Sequence, residues 1–197
     1  MAEPAVVNAS PLIFLSRAGL IDLLKVASAE IIVPEIVAAE INVRGKNDPA
    51  AQAIANTAWL TVTQTPPVPP AIQAWGLGPG ESAVLTWAQA HVGSEAIIDD
   101  LAGRRCAAAF NIPVRGTLGL VLVAKQRGRI ASARQVLEQL RQSGMYLSNQ
   151  VMNDALALIG ESKSAFHYGS SNDNKSQSKE DEESRNEKGP NLQEVEA

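Results

Sequence analysis

Residues 96–128, AIIDDLAGRRCAAAFNIPVRGTLGLVLVAKQRG, decide the fold. An apolar run ends in two adjacent carboxylates, Asp99 and Asp100, and a basic pair, Arg104 and Arg105, follows within a turn. EAIIDD (95–100) reads as a strand, LAGRRCAAAF as a helix, and Asn111-Ile112-Pro113 as a turn into the short strand PVRGT. TLGLVLVAKQRG is a second helix. Strands alternating with helices imply parallel connections, and apolar strands without clean alternation imply a sheet covered on both faces. Carboxylates at the end of such a strand stand where an α/β protein usually keeps its chemistry.

The same grammar extends outward in both directions. AVVN (5–8) is a short apolar run, and Ser10-Pro11 offers an N-cap and first-turn pair for the helix LIFLSRA. Gly19 ends or bends that helix before LIDLLKVA. EIIVP (30–34) reads as a strand stopped by Pro34, with EIVAAEI as the helix after it. WLTVT (59–63) is a further strand, closed by the PPVPP linker at 66–70. Gly78-Pro79-Gly80 leads into the helix ESAVLTWAQAH, and SARQVLEQLRQSG and SNQVMNDALALIGE finish the domain. The expected fold is a three-layer α/β/α sandwich around a central parallel sheet of four to five strands, over residues 1–160. Residues 161–197 are polar and acidic, almost free of large apolar side chains, and are expected to be disordered.

Composition narrows the function. The chain has 197 residues, of which 45% are hydrophobic and 19% charged, enough for one real core and an appendage. A single cysteine, Cys106, excludes an internal disulfide and a zinc cage of several cysteines, and its apolar setting reads as a buried thiol. MAEPAVVNAS lacks the basic start and apolar core of a signal peptide, and no run approaches a membrane span, so a cytoplasmic protein without membrane contact is expected. The net charge of −4 is uneven, because residues 101–141 carry eight basic residues against Glu138 alone. So one-sided a run favours a phosphate-rich partner over an ordinary solvated face, with Arg104, Arg105, Arg115, Lys125 and Arg127 as the candidate nucleic-acid contacts.

Four acids stand out. Glu40 lies on the helix after the second strand, Glu81 opens the helix after GPG, and Asp99 and Asp100 end the fourth strand. Strand C-termini and the helix starts after them share one sheet edge, so these acids can converge as a hard-cation site for Mg²⁺ or Mn²⁺. Each has a plainer reading. Glu81 also suits a helix first turn, Glu40 an exposed helix face, and either aspartate an N-cap for LAGRRCAAA. His91 and His167 are too isolated for a histidine metal site, and His91 marks a helix end. Ser10, Ser16 and Ser82 lack a nucleophile elbow, and neither a P-loop nor a dinucleotide-binding turn is present.

Taken together, VVNASPLIFL, IIVPEIVAAEI, GPGESAVLTWA, the IDD…AGRR…GTLG…AK string and LEQLRQSGMYLSNQVMNDALALIGE resemble the PIN-domain family of nucleases, closest to its compact prokaryotic subgroup. The resemblance covers about residues 6–161. It implies an α/β/α sandwich with an acidic pocket for Mg²⁺ or Mn²⁺ and endonucleolytic cleavage of RNA. It also implies a toxin of a toxin–antitoxin pair, a small antitoxin partner and a homodimer. The family's acids fall on Asn8, Glu40, Glu81, and Asp99 or Asp100, giving a catalytic set of Glu40, Glu81, Asp99 and Asp100 and a metal set that adds Asn8. Asn8 departs from the pattern, since an asparagine keeps an oxygen ligand but removes a negative charge. Hence a second expectation stands beside the nuclease: a catalytically weak or inactive PIN-like RNA-binding protein.

Overall fold

The computed structural model describes residues 3–161. Its strands are β1 (Ala5–Val7), β2 (Ile31–Pro34), β3 (Leu60–Thr63), β4 (Ala96–Ile97) and β5 (Val114–Arg115). They form one sheet in the order β3-β2-β1-β4-β5, parallel throughout. Every residue of β1 and β2 is buried, so helices cover both faces; this is why those runs are apolar without alternating. The expected sandwich with a central parallel sheet is the fold observed.

The path of the chain fixes where a ligand can sit. From β1 the chain moves to β2 and β3, then returns to build β4 and β5 on the other flank of β1. Val6 accordingly pairs with Ile32 on one side and Ala96 on the other. Strand order therefore reverses between β1 and β4, and in open parallel sheets the crevice beyond the strand C-termini at that reversal is the binding site. Asn8 follows β1, and Asp99 and Asp100 follow β4 closely. The two segments meet at this switch point.

The helices are α1 (Ala9–Arg17), α2 (Glu35–Asn42), α3 (Pro49–Asn56), α4 (Pro70–Gln73), α5 (Pro79–Ala90), α6 (Leu101–Ala109), α7 (Thr117–Gln126), α8 (Ala133–Gln142) and α9 (Asn149–Ala157). Helix α5 packs against β1, β2, β4 and the neighbouring α2 and α6, which explains the unbroken burial of Ser82 through Ala88. His91 is its C-cap and stacks on Trp87, with ring centroids 3.9 Å apart. Cys106 is buried in α6, and burial pushes its thiol up from the ordinary value.

Several local expectations need correction. Ser10-Pro11 does not start α1; the N-cap is Asn8, two residues earlier. Residues Ile21–Val26, expected to continue as a helix after Gly19, form a 3₁₀ segment instead. Gly19 itself has φ of +67°, a left-handed turn that stops α1. Helix α3 is additional: Asp48 caps it by accepting a hydrogen bond from the Ala50 amide at 2.9 Å, with Pro49 in the first turn.

The folded unit also reaches one residue past the expected boundary. The Glu161 carboxylate accepts hydrogen bonds from the Ala133 and Arg134 amides at 3.0 and 2.8 Å and lies 3.2 Å from Lys125 Nζ. It caps the N-terminus of α8 from a distant point in the chain. Burial raises its carboxyl pKa, but those two amides and Lys125 outweigh burial and hold it below the ordinary value. The expectation of disorder beyond Glu161 concerns residues outside those described.

Candidate active site at the switch point

Asn8 occupies an N-cap position but does not cap α1 with its side chain. Its amide nitrogen instead donates to Glu81 Oε1 at 2.9 Å, bridging the end of β1 to the first turn of α5. A carboxylate oxygen only accepts, so the amide nitrogen must face Glu81 and the carbonyl oxygen must face away. That oxygen is buried and has no hydrogen-bond partner among the described residues, and Asn8 as a whole is only 3% exposed. A bare buried oxygen is costly unless something supplies a positive partner.

Gly80 and Gly103 show what surrounds it. A methyl group at Gly80 would stand 2.8 Å from Asn8 Oδ1 and 3.3 Å from Glu40 Oε2, so both oxygens face the same small space above α5. A methyl group at Gly103 would stand 3.6 Å from Glu81 Cγ and 3.8 Å from Asp100 Oδ2. Asn8, Glu40, Glu81 and Asp100 thus line one edge, from β1, α2, α5 and α6 respectively. Glycine at 80 keeps that space open, while at 103 the tight contact of a methyl group would be Ile98 Cγ2, at 3.0 Å.

The two aspartates divide. Asp100 is the N-cap of α6, and its Oδ2 accepts from the Gly103 amide at 2.8 Å. Asp99 turns toward α7, where Oδ1 accepts from the Thr117 amide and Oδ2 from the Thr117 hydroxyl, each at 2.7 Å. Desolvation raises the Asp99 pKa above the ordinary value, outweighing the Thr117 hydrogen bonds and the nearby Arg104 charge. Both Asp99 oxygens accept from Thr117, whereas Asp100 accepts through Oδ2 from the Gly103 amide.

Divalent-cation chemistry must be judged against these donors. Among the described residues, no three Asp, Glu, His or Cys side chains stand close enough as placed to hold one ion together. All four edge residues nonetheless offer hard oxygen, and the unpartnered Asn8 Oδ1 beside Glu40 Oε2 is the kind of donor a hard cation takes. In donor chemistry, though not in the spacing of the side chains, these residues suit such an ion.

The basic run is divided as well. Arg115 forms an ion pair with Glu95 at 2.8 Å, Lys125 reaches Glu161 and the Ala131 carbonyl, and Arg127 donates to the Val26 carbonyl at 2.7 Å. These three brace the fold. Arg104 and Arg105 are exposed on α6, about one helical turn from Asp100. The residues that sequence reading did not mark are Gly80, Gly103 and Thr117. Only Thr117, next to a glycine at a helix start, carried a local signal.

No curated protein and no solved structure matches the chain. Scanned against models of protein families, residues 4–161 match the one described as PIN domain. That span opens one residue before β1 and closes on Glu161, the carboxylate that caps α8, so it takes in the whole folded unit and every residue of the acid edge. This chain belongs to the PIN-domain family, whose members are generally nucleases that use divalent metals.

Proposed function

We propose that this PIN domain is a Mg²⁺- or Mn²⁺-dependent endoribonuclease. The observation that carries the reading is Asn8 Oδ1, a buried oxygen with no partner among the described residues, facing the same space as Glu40 Oε2. Asn8, Glu40, Glu81 and Asp100 would hold the ion. A divalent cation bound there supplies positive charge for the phosphate in transfer and lowers the pKa of water. The protein's own part is positional. Asn8 fixes Glu81 by its hydrogen bond, the α6 amide at Gly103 fixes Asp100, and Arg104 and Arg105 hold flanking phosphates as charged donors.

The test is cleavage of a labelled single-stranded RNA by the full chain across Mg²⁺ and Mn²⁺ concentrations, beside Glu40→Gln and Asp100→Asn. Loss of metal-dependent cleavage in both variants, with melting temperature kept, is the expected result. Unchanged cleavage in either sinks the assignment.

One observation favours a second reading, RNA binding without turnover. Asn8 lowers the charge of the edge, and its amide nitrogen occupies one oxygen of Glu81. Under that reading the protein binds RNA with a steep salt dependence and cleaves nothing. Tight Mn²⁺ binding by calorimetry, abolished by Glu40→Gln, decides against it. As a nuclease of this compact type the protein would serve as a toxin held in check by a small antitoxin. Growth arrest on expression, relieved by the product of a neighbouring gene, is the check on that role.

A further inference from the structure

Beside the acid edge, between α6 and α7, opens a cleft of about 560 Å³. Its walls are Phe14, Leu118, Leu122 and Leu147, Arg104 stands at its side, and Tyr146 is on its rim. Tyr146 lies in the α8–α9 loop and is 92% exposed, yet the loop around it is anchored. Leu147 is buried, and the Met145 amide donates to the Leu140 carbonyl at 3.0 Å. An aromatic ring is therefore held out in water at the mouth of an apolar cleft by a fixed backbone. Tyr146 contributes almost nothing to the core. Its position makes physical sense as a platform for another ring.

We propose that this cleft takes an unpaired nucleobase of an RNA strand, stacked on Tyr146, while the backbone of that strand passes Arg104 to the acid edge. The proposal rests on the nuclease reading for its ligand and adds to it a subsite for one base. Three features favour a base over a protein side chain. The cleft has the volume of a small-ligand site rather than of a helix groove. Arg104, in its lining, is cationic, which suits a phosphodiester strand. Asp99 lines the cleft, and Asp100, the next residue in the chain, lines the acid edge. A duplex cannot use such a cleft, because its base faces are stacked internally and only its grooves and backbone are presented.

The experiment is fluorescence anisotropy of a short labelled single-stranded RNA with the full chain, without divalent cation, beside a duplex of the same sequence. Tyr146→Ala should weaken single-strand binding about tenfold or more, the usual scale of one lost base stack. Tyr146→Phe should keep wild-type affinity, and duplex affinity should be equal in all three proteins. Since the ring is exposed, melting temperatures should not change. Wild-type affinity in Tyr146→Ala overturns the proposal, and a shift of that variant from dimer to monomer assigns the ring to a contact between copies of the chain instead. Cleavage by the wild type with no effect of Tyr146→Ala removes the subsite and leaves the nuclease reading standing. Tyr146-dependent binding without cleavage does the reverse. No binding and no cleavage removes both.

Discussion

Two regions meet at the start of α6. On one side is the acid edge of Asn8, Glu40, Glu81 and Asp100, where the Asn8 oxygen has no donor among the described residues and the glycine at 80 leaves room beside it and Glu40. On the other is the Asp99–Thr117 clamp at the head of α7, where both carboxylate oxygens are matched by donors from the protein. Adjacent aspartates of identical chemistry are thereby divided between an open site and a closed one. What separates them is the source of their donors: Asp99 is bound through both oxygens by Thr117 of α7, and Asp100 accepts from the Gly103 amide of its own helix.

The largest effect expected from breaking this contrast comes from Asp100→Asn. Asparagine is as good an N-cap as aspartate, so α6 should keep its stability within a few tenths of a kcal/mol. Metal-dependent cleavage should nevertheless fall about a hundredfold or more, the scale on which a transition-state electrostatic contact acts. Cleavage assays beside thermal melts separate the two roles; equal losses of stability and activity would reduce Asp100 to a cap.

Gly80→Ala is the next step down. Its methyl would enter the space shared by Asn8 Oδ1 and Glu40 Oε2, so Mn²⁺ affinity by calorimetry should weaken about tenfold while the helix, gaining alanine for glycine, does not lose propensity. Unaltered Mn²⁺ binding would place the ion elsewhere.

Asn8→Asp sharpens the same point from the opposite direction. Two carboxylates would face each other where an amide now bridges to Glu81, so the metal-free protein should lose about 1 kcal/mol of stability. Mn²⁺ should restore more than was lost, visible as a larger metal-induced rise in melting temperature than wild type shows.

The smallest effects are pH profiles of stability. Asp99 has a raised pKa in the fold, so its contribution is fully present below the unfolded value and is lost as pH rises through the folded one. Asp99→Asn, which can still accept from the Thr117 amide, should remove that decline. Glu161 is the mirror case. Its depressed pKa gives stability present above the unfolded value and lost as pH falls through the folded one, and Glu161→Ala should cost about 1 kcal/mol at neutral pH and flatten the acid limb. Melting temperatures between acid and neutral pH check both signs.

Much of the fold was legible because its signals are local. Pro34 stops β2, Gly78-Pro79-Gly80 starts α5, and the apolar run before Asp99 forms β4, although that strand ends at Ile97, three residues short of the expected Asp100. Helix α3 was missed because PAAQAIAN is short and alanine-rich with no marked stripe, although Asp48-Pro49 is a start signal. The 3₁₀ course of Ile21–Val26 has the same sequence pattern as an α-helix and is not distinguishable from it by spacing.

By itself the sequence determined the parallel α/β sandwich, the place of Glu81 at a helix start, of the Asp99–Asp100 pair after a strand and of Glu40 on the helix after β2, and the oddity of Asn8. All of these follow from periodicity, turn residues and the positions of charge. Only the tertiary structure decided that Asp99 is bound by Thr117, eighteen residues away, while Asp100 caps α6. It also decided that Arg115, Lys125 and Arg127 brace the fold while Arg104 and Arg105 remain exposed beside Asp100. The reason is common to both. A side chain's role is set by which partners the folded chain brings within about 3 Å of it, and hydrogen-bond partners far apart in sequence leave no pattern in the chain between them.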